Sequence, residues 1–307
     1  MAGASHFARA VEAYYTCDQN IIEFYSNLYN EMHENKLLDE NFISQMSDAD
    51  KTMQRLSELV VLKYCTRRIK GISSEKKGPD ITFSFESKRI NIEVITPVQV
   101  VQKKTQYAQY FFPRRPEDPA PGSSVDAYTP EMDSLHARIT SALKEKAGKY
   151  EAYLNNETTQ SDDINIICIN VGFIQGNELI DYAYLKNLFI RQATIYIDID
   201  EQKKISPKIV DIDFQVTKEN STILTTSYFD NSAYAHIDGA WIISCNEKNF
   251  DSLAQVSHPA NMDRNVMHQN MNSRIPSSLL SALHINSPQQ EESFVQHIRT
   301  HGQLPNA

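Results

Sequence analysis

Apolar positions over the first seventy or so residues recur at helical spacing. The stretch HFARAVEAYYTCDQNIIEFYSNLYNEMHEN carries them at three- and four-residue intervals, and SDADKTMQRLSELVVLKYCTRRI opens on a Ser/Asp cap before a further helix. In that helix Met53, Leu56, Val60 and Tyr64 form one stripe. Glu58, Val61, Leu62 and Cys65 form a second on the opposite side, so the helix is expected to be buried on both sides with a carboxylate set in an apolar surface. The pattern then changes to period two. GPDITFSFESKRINIEVITP reads as a hairpin of two strands joined by a tight turn at Ser87-Lys88.

Beyond Pro97 the chain is rich in Gln, Tyr and Pro as far as residue 130, and this reads as a long irregular loop. PEMDSLHARITSALKEKAGKYEAYLNN is the clearest helix. INIICINVG reads as a strand buried on both faces, followed by strand candidates ATIYIDID, IVDIDFQVT, STILTTSYF and GAWIISCN. From residue 247 the sequence turns polar. The expected organisation is an N-terminal helical segment (1–50), an α/β core with a mixed sheet flanked by helices (51–246) and a polar C-terminal extension (247–307). Five of the nine histidines fall in that extension, without recognisable ligand spacing.

No stretch approaches the ~18 apolar residues of a membrane span, and the start lacks a basic region followed by an apolar one, so a cytoplasmic protein is expected. The four cysteines, Cys17, Cys65, Cys168 and Cys245, sit apart among apolar neighbours, as free thiols do. A net charge of −9 argues against a dedicated basic nucleic-acid binder, but leaves room for a nuclease whose acidic site lowers the count.

Strand alternation places Asp80, Thr82 and Ser84 on one face of the hairpin, together with Asn91, Glu93 and Ile95 from the second strand. A turn at Ser87-Lys88 sets Asp80 opposite Ile95 and Thr82 opposite Glu93, which makes the two acids diagonal neighbours at about 7–8 Å. Two carboxylates so close repel unless a cation or a shared proton lies between them, and hard oxygen donors suit Mg²⁺. A solvated polar face is the competing reading of the same alternation.

The order helix, GPD, strand, turn, strand with IEV, helix, buried strand over residues 50–172 resembles the PD-(D/E)xK nuclease superfamily. That resemblance implies a restriction-endonuclease-like core, Asp80 and Glu93 as metal ligands and catalytic carboxylates, and Glu58 on the preceding helix as a third ligand. It further implies Mg²⁺ (or Mn²⁺) as cofactor, and nucleic acid, DNA ahead of RNA, as substrate. Ile95 stands where the motif lysine belongs, and isoleucine cannot stabilise a hydroxide. In the following helix the apolar stripe runs through Leu135, Ile139, Ala142, Leu143, Tyr150 and Tyr153. Lys146 falls near its middle, Lys149 at its edge and Lys144 on the opposite side. Some members of the superfamily carry their lysine on this helix, so Lys146 resembles a migrated catalytic lysine with Lys149 in reserve; a snorkelling or structurally paired lysine is the alternative. Lys88, Arg89, Lys103, Lys104, Arg114, Arg115 and Arg138 are candidates to line a phosphate path. Two further readings stand beside the nuclease: an inactive binding protein of the same fold, with Tyr107, Tyr110, Phe111 and Phe112 as a contact surface for a protein partner or a second copy, and a metal hydrolase acting on another substrate.

Overall fold

The computed structural model describes residues 2–15, 18–39, 41–74, 78–97, 100–108, 124–177, 180, 185–199, 201, 205–212, 214–217, 222–253, 264–270 and 272–287. Three helices come first: α1 (Ala2–Tyr15), α2 (Gln19–Glu34) and α3 (Ala49–Thr66). Asp18 and Asp48 cap α2 and α3, each accepting hydrogen bonds from backbone N–H groups of the first turn. Leu56 through Leu62 are all buried, as two opposed stripes require, because α3 is wedged between the sheet and the other two helices.

The hairpin pairs β1 (Ile81–Phe85) with β2 (Lys88–Ile95). Its turn is Glu86-Ser87, both with positive φ (47° and 64°), one position before the expected Ser87-Lys88. The register Ile81↔Ile92 therefore continues to Asp80 beside Glu93, correcting the expected pairing of Asp80 with Ile95. A shift of two leaves every side chain on its expected face. The two acids become direct neighbours.

The segment expected as an irregular loop contains a two-stranded ribbon, β3 (Gln102–Ala108) against β4 (Ser124–Pro130), which leads directly into α4 (Met132–Asn155). The contact candidates Tyr110, Phe111 and Phe112, with Arg114 and Arg115, lie outside the described residues. Next come β5 (Ile164–Asn170), the hairpin β6 (Gln192–Ile199) with β7 (Ile205–Ile212), and the small pair β8 (Gln215–Thr217) with β9 (Ile223–Thr225). IVDIDFQVT, expected as one strand, is thus divided between β7 and β8.

β10 (Gly239–Ile243) and β11 (Asn265–Gln269) complete a mixed five-stranded sheet of order β1-β2-β5-β10-β11. β2, β5 and β10 are parallel, and the two edges are antiparallel. β11 lies within the segment expected as an extension beyond residue 246, so the sheet runs past that boundary. Its Asn265 side chain accepts from Trp241 Nε1 at 2.6 Å and donates to Tyr64 Oη at 2.8 Å. Helices α1–α3 and the short helix Ser277–Ala282 cover one face of the sheet, over Ile90, Ile92, Val94 and Trp241. Helix α4 covers the other, over Ile95, Ile167 and Ile169. The protein is thus an α/β layered structure with helices on a mixed sheet. Cys65, Cys168 and Cys245 are buried free thiols. No described helix is long and apolar enough to cross a membrane.

Candidate active site

Helix α4 is fixed to the sheet by Tyr150, whose hydroxyl lies within hydrogen-bonding distance of Asn91 O (2.9 Å) and Ile166 O (3.0 Å). One turn earlier this anchoring brings Lys146, 6% exposed, over the hairpin. Lys146 Nζ donates to Glu93 Oε2 at 2.5 Å and lies 3.5 Å from Asp80 Oδ2. The remaining Glu93 oxygen, Oε1, accepts from Tyr153 Oη at 2.9 Å, so the 1%-exposed carboxylate is engaged on both oxygens. Lys149 Nζ stands 3.9 Å from Glu93 and remains half-exposed.

Asp80 follows Pro79 at the entry to β1 and turns its side chain along the ladder, where Oδ2 accepts from Val94 N at 2.7 Å. Glu58 approaches from α3. Its carboxylate accepts from Gln54 Nε2 at 3.0 Å and pairs with the Arg55 guanidinium. Gln54 also clips α3 to the end of β2, donating to Val94 O at 2.9 Å and accepting from Thr96 N at 3.0 Å. Ile95 is packed among the apolar side chains of α4, 6% exposed.

The electrostatics follow from burial. Desolvation, reinforced by Asp80, pushes the Glu58 carboxyl up to about 7 against the opposing pull of Arg55 and Lys146. Burial and Asp80 also raise Glu93, while Lys146 and Lys149 draw it back. Burial alone would lower the Lys146 ammonium, but Asp80, Glu93 and Glu58 together outweigh it and hold the group above its ordinary value. Lys146 is therefore charged at neutral pH, a donor and a fixed positive charge rather than a base.

A cleft of about 740 Å³ opens over this cluster, with Gln54, Arg55, Glu58, Asp80, Lys146 and Lys149 in its walls. A second hollow of about 340 Å³ shares Arg55, Glu58, Asp80 and Lys149 and adds Glu93 and Tyr153. Among the described residues, no group of three or more His, Cys, Asp or Glu is arranged to hold a metal ion. The donor chemistry nonetheless fits a hard cation that keeps most of its waters. Asp80 is partly exposed, and its Oδ1 has no protein partner among the described residues. Glu93 fits by sharing an oxygen already bound to Lys146 or Tyr153.

Of the five expected site residues, Glu58, Asp80 and Lys149 line both hollows, Lys146 lines the first and Glu93 the second, and Lys146 and Glu93 meet in the ion pair between them. Tyr153, Gln54 and Arg55 were not expected there. Tyr153 stood on the apolar stripe of α4, and only its hydroxyl signalled a polar task. Gln54 and Arg55 sit four and three residues before Glu58, which is the spacing of neighbours on one helix face. Of the candidate phosphate contacts, Lys88 and Arg89 lie at the opposite end of β2, beside Asp162 (3.7 Å) and Asp163 (3.9 Å). Lys103 and Lys104 lie on the ribbon, and Arg138 lines the cleft. His268 is buried in β11 against Phe189, and His284 accepts from Arg68; His258, His297 and His301 lie outside the described residues. Comparison of the chain with protein-family models, curated proteins and solved structures finds no match.

Proposed function

We propose that this protein is a divalent-metal-dependent phosphodiester hydrolase acting on nucleic acid. In this reading it is a divergent PD-(D/E)xK nuclease with a restriction-endonuclease-like core, whose lysine has moved from the place of Ile95 to Lys146. One observation carries the reading: Lys146 Nζ, on another element, reaches Glu93 at 2.5 Å and Asp80 at 3.5 Å inside a cleft. A buried lysine on an apolar helix stripe is costly unless its charge is used.

Asp80 and Glu93, with Glu58, would hold Mg²⁺ or Mn²⁺. A cation bound there supplies polarisation of the phosphate and a more acidic water. Lys146 holds its positive charge where negative charge develops on the attacking and phosphoryl oxygens, already oriented before substrate arrives. Glu93 aims that ammonium, and Tyr153 fixes Glu93. Helix α3, clipped by Gln54, closes the cleft's other wall.

The test is cleavage of DNA and RNA with Mg²⁺ or Mn²⁺ by the wild type and Asp80→Ala. Cleavage by the wild type alone is expected; cleavage that survives Asp80→Ala overturns the site. A second reading, a nuclease-fold binding protein that does not cleave, is favoured by the saturation of both Glu93 oxygens by Lys146 and Tyr153. Binding of nucleic acid by a wild type that does not cleave would establish it.

A further inference from the structure

The cleft wall contributed by α4 continues well past the carboxylates. Arg138, Ser141, Glu145, Lys146 and Lys149 all line it at intervals of one to four residues, a single stripe about 16 Å long at 1.5 Å per residue. Along that stripe the state of the cations changes. Lys146 is held by Glu93 and Asp80, and Arg55 across the cleft by Glu58. Arg138, about 12 Å from Lys146 along the helix, is exposed and forms no ion pair among the described residues.

Lys51, in the first turn of α3, lines the same cleft; among the described residues its ion pair is a solvent-exposed contact with Asp48 at 3.4 Å, of the kind that contributes little, beside a donation to Ser47 Oγ at 3.2 Å. Thr96, which also lines the cleft, is 4% exposed, and its hydroxyl finds no hydrogen-bond partner among the described residues. Buried hydroxyls are normally satisfied. The single acid on this stripe of α4, Glu145, is exposed. In a chain of net charge −9, the cleft thus offers, besides its carboxylates, an Arg138 with no ion pair, a loosely held Lys51 and an unsatisfied hydroxyl among the described residues.

We propose that the cleft takes a polynucleotide strand laid along α4, with Arg138 and Lys51 gripping a phosphate beyond the one at the carboxylates and the Thr96 hydroxyl turned to the same strand. A mononucleotide or small phosphodiester occupies only the carboxylate end and leaves Arg138 unused. This inference rests on the hydrolase reading for what happens at the carboxylates, and on the cleft alone for the strand.

Binding is read by fluorescence anisotropy, with divalent metal omitted so that cleavage does not intervene. The probes are a labelled oligonucleotide of about twelve nucleotides and a labelled dinucleotide. Arg138→Glu is compared with Lys144→Glu, an equal charge change at an exposed position that does not line the cleft. Arg138→Glu is expected to weaken oligonucleotide binding about tenfold or more and to lower the salt slope by about one, with little change in Lys144→Glu. Equal effects of the two variants, or an oligonucleotide bound no more tightly than the dinucleotide, overturn the strand path. If the path holds and the wild type cleaves nothing with Mg²⁺ or Mn²⁺, the hydrolase reading alone falls. If the wild type cleaves and the two variants match, the path alone falls.

Discussion

Both ends of the parallel strands bury charge, and they handle it differently. At the amino end Asp238 (3% exposed) accepts from Arg274 Nε at 2.9 Å and from its Nη2 at 2.8 Å, and from the backbone N–H groups of Asn165 and Arg274. Arg274 reaches on to Ser161 O and Asp163 O, and Asn91 joins Asp163 to Asn165. One planar guanidinium faces one carboxylate in a two-pronged match, and each oxygen of Asp238 is used. Toward the carboxyl end one buried ammonium, Lys146, lies among three carboxylates, with the half-exposed Lys149 and with Arg55 at its edges, and Asp80 keeps an oxygen without a partner among the described residues. The first cluster closes loops onto the sheet. The second concentrates acid at the mouth of a cavity, an arrangement with an unused donor that suits a ligand rather than the fold.

That contrast is open to direct attack. The largest effect is expected from Asp238→Ala, which removes the two-pronged partner of Arg274 and orphans two backbone N–H groups, and should cost about 3–5 kcal/mol of stability in chemical denaturation. A cost near zero would mean that the amino-end cluster is not the clamp described. Lys146→Met should lower metal-dependent cleavage by about 10²–10³-fold, the scale of losing one preorganised charge. Lys149→Met, removing a half-exposed lysine 3.9 Å from Glu93, should cost far less. Equal losses would move the catalytic charge to Lys149.

A smaller effect concerns Glu58. Its folded carboxyl holds a proton up to about pH 7, against an ordinary value of 4.5. The folded state therefore binds more protons in that interval, and this group's contribution to stability falls as pH rises from about 4.5 to 7 and is level above. In metal-free buffer Glu58→Gln should narrow the stability difference between pH 5 and pH 8 by up to about 3 kcal/mol. Parallel pH profiles for wild type and variant would show that Glu58 is ionised throughout.

Much of the candidate site can be read from local periodicity, and its errors are local too. The hairpin turn has no Asn-Gly or Asp-Gly pair to mark it; Glu86 and Ser87 take positive φ instead, so the turn's position is hidden. Because strands have period two, the resulting shift in register changed the neighbour of Glu93 from Thr82 to Asp80 and left both faces as expected. The ribbon β3–β4 was hidden by the Gln- and Lys-rich sequence of β3 and by the fifteen residues between the two strands, which lack a hairpin signal. β11 was hidden for a different reason. Asn265 is a polar residue satisfied inside the core, and burial through long-range hydrogen bonds leaves no apolar pattern to read.

By itself, the order of residues determined that Asp80 and Glu93 share a strand face and that Lys146 lies on the buried stripe of its helix. Periods of 2 and 3.6 are properties of a few consecutive residues and need no knowledge of the rest of the chain. Only the tertiary structure decided that Lys146 meets Glu93, 53 residues away, that Gln54 ties α3 to the end of β2, and that a cleft remains over Asp80. Those meetings depend on where α4 and α3 come to rest on opposite faces of one sheet, and packing between distant elements sets that placement.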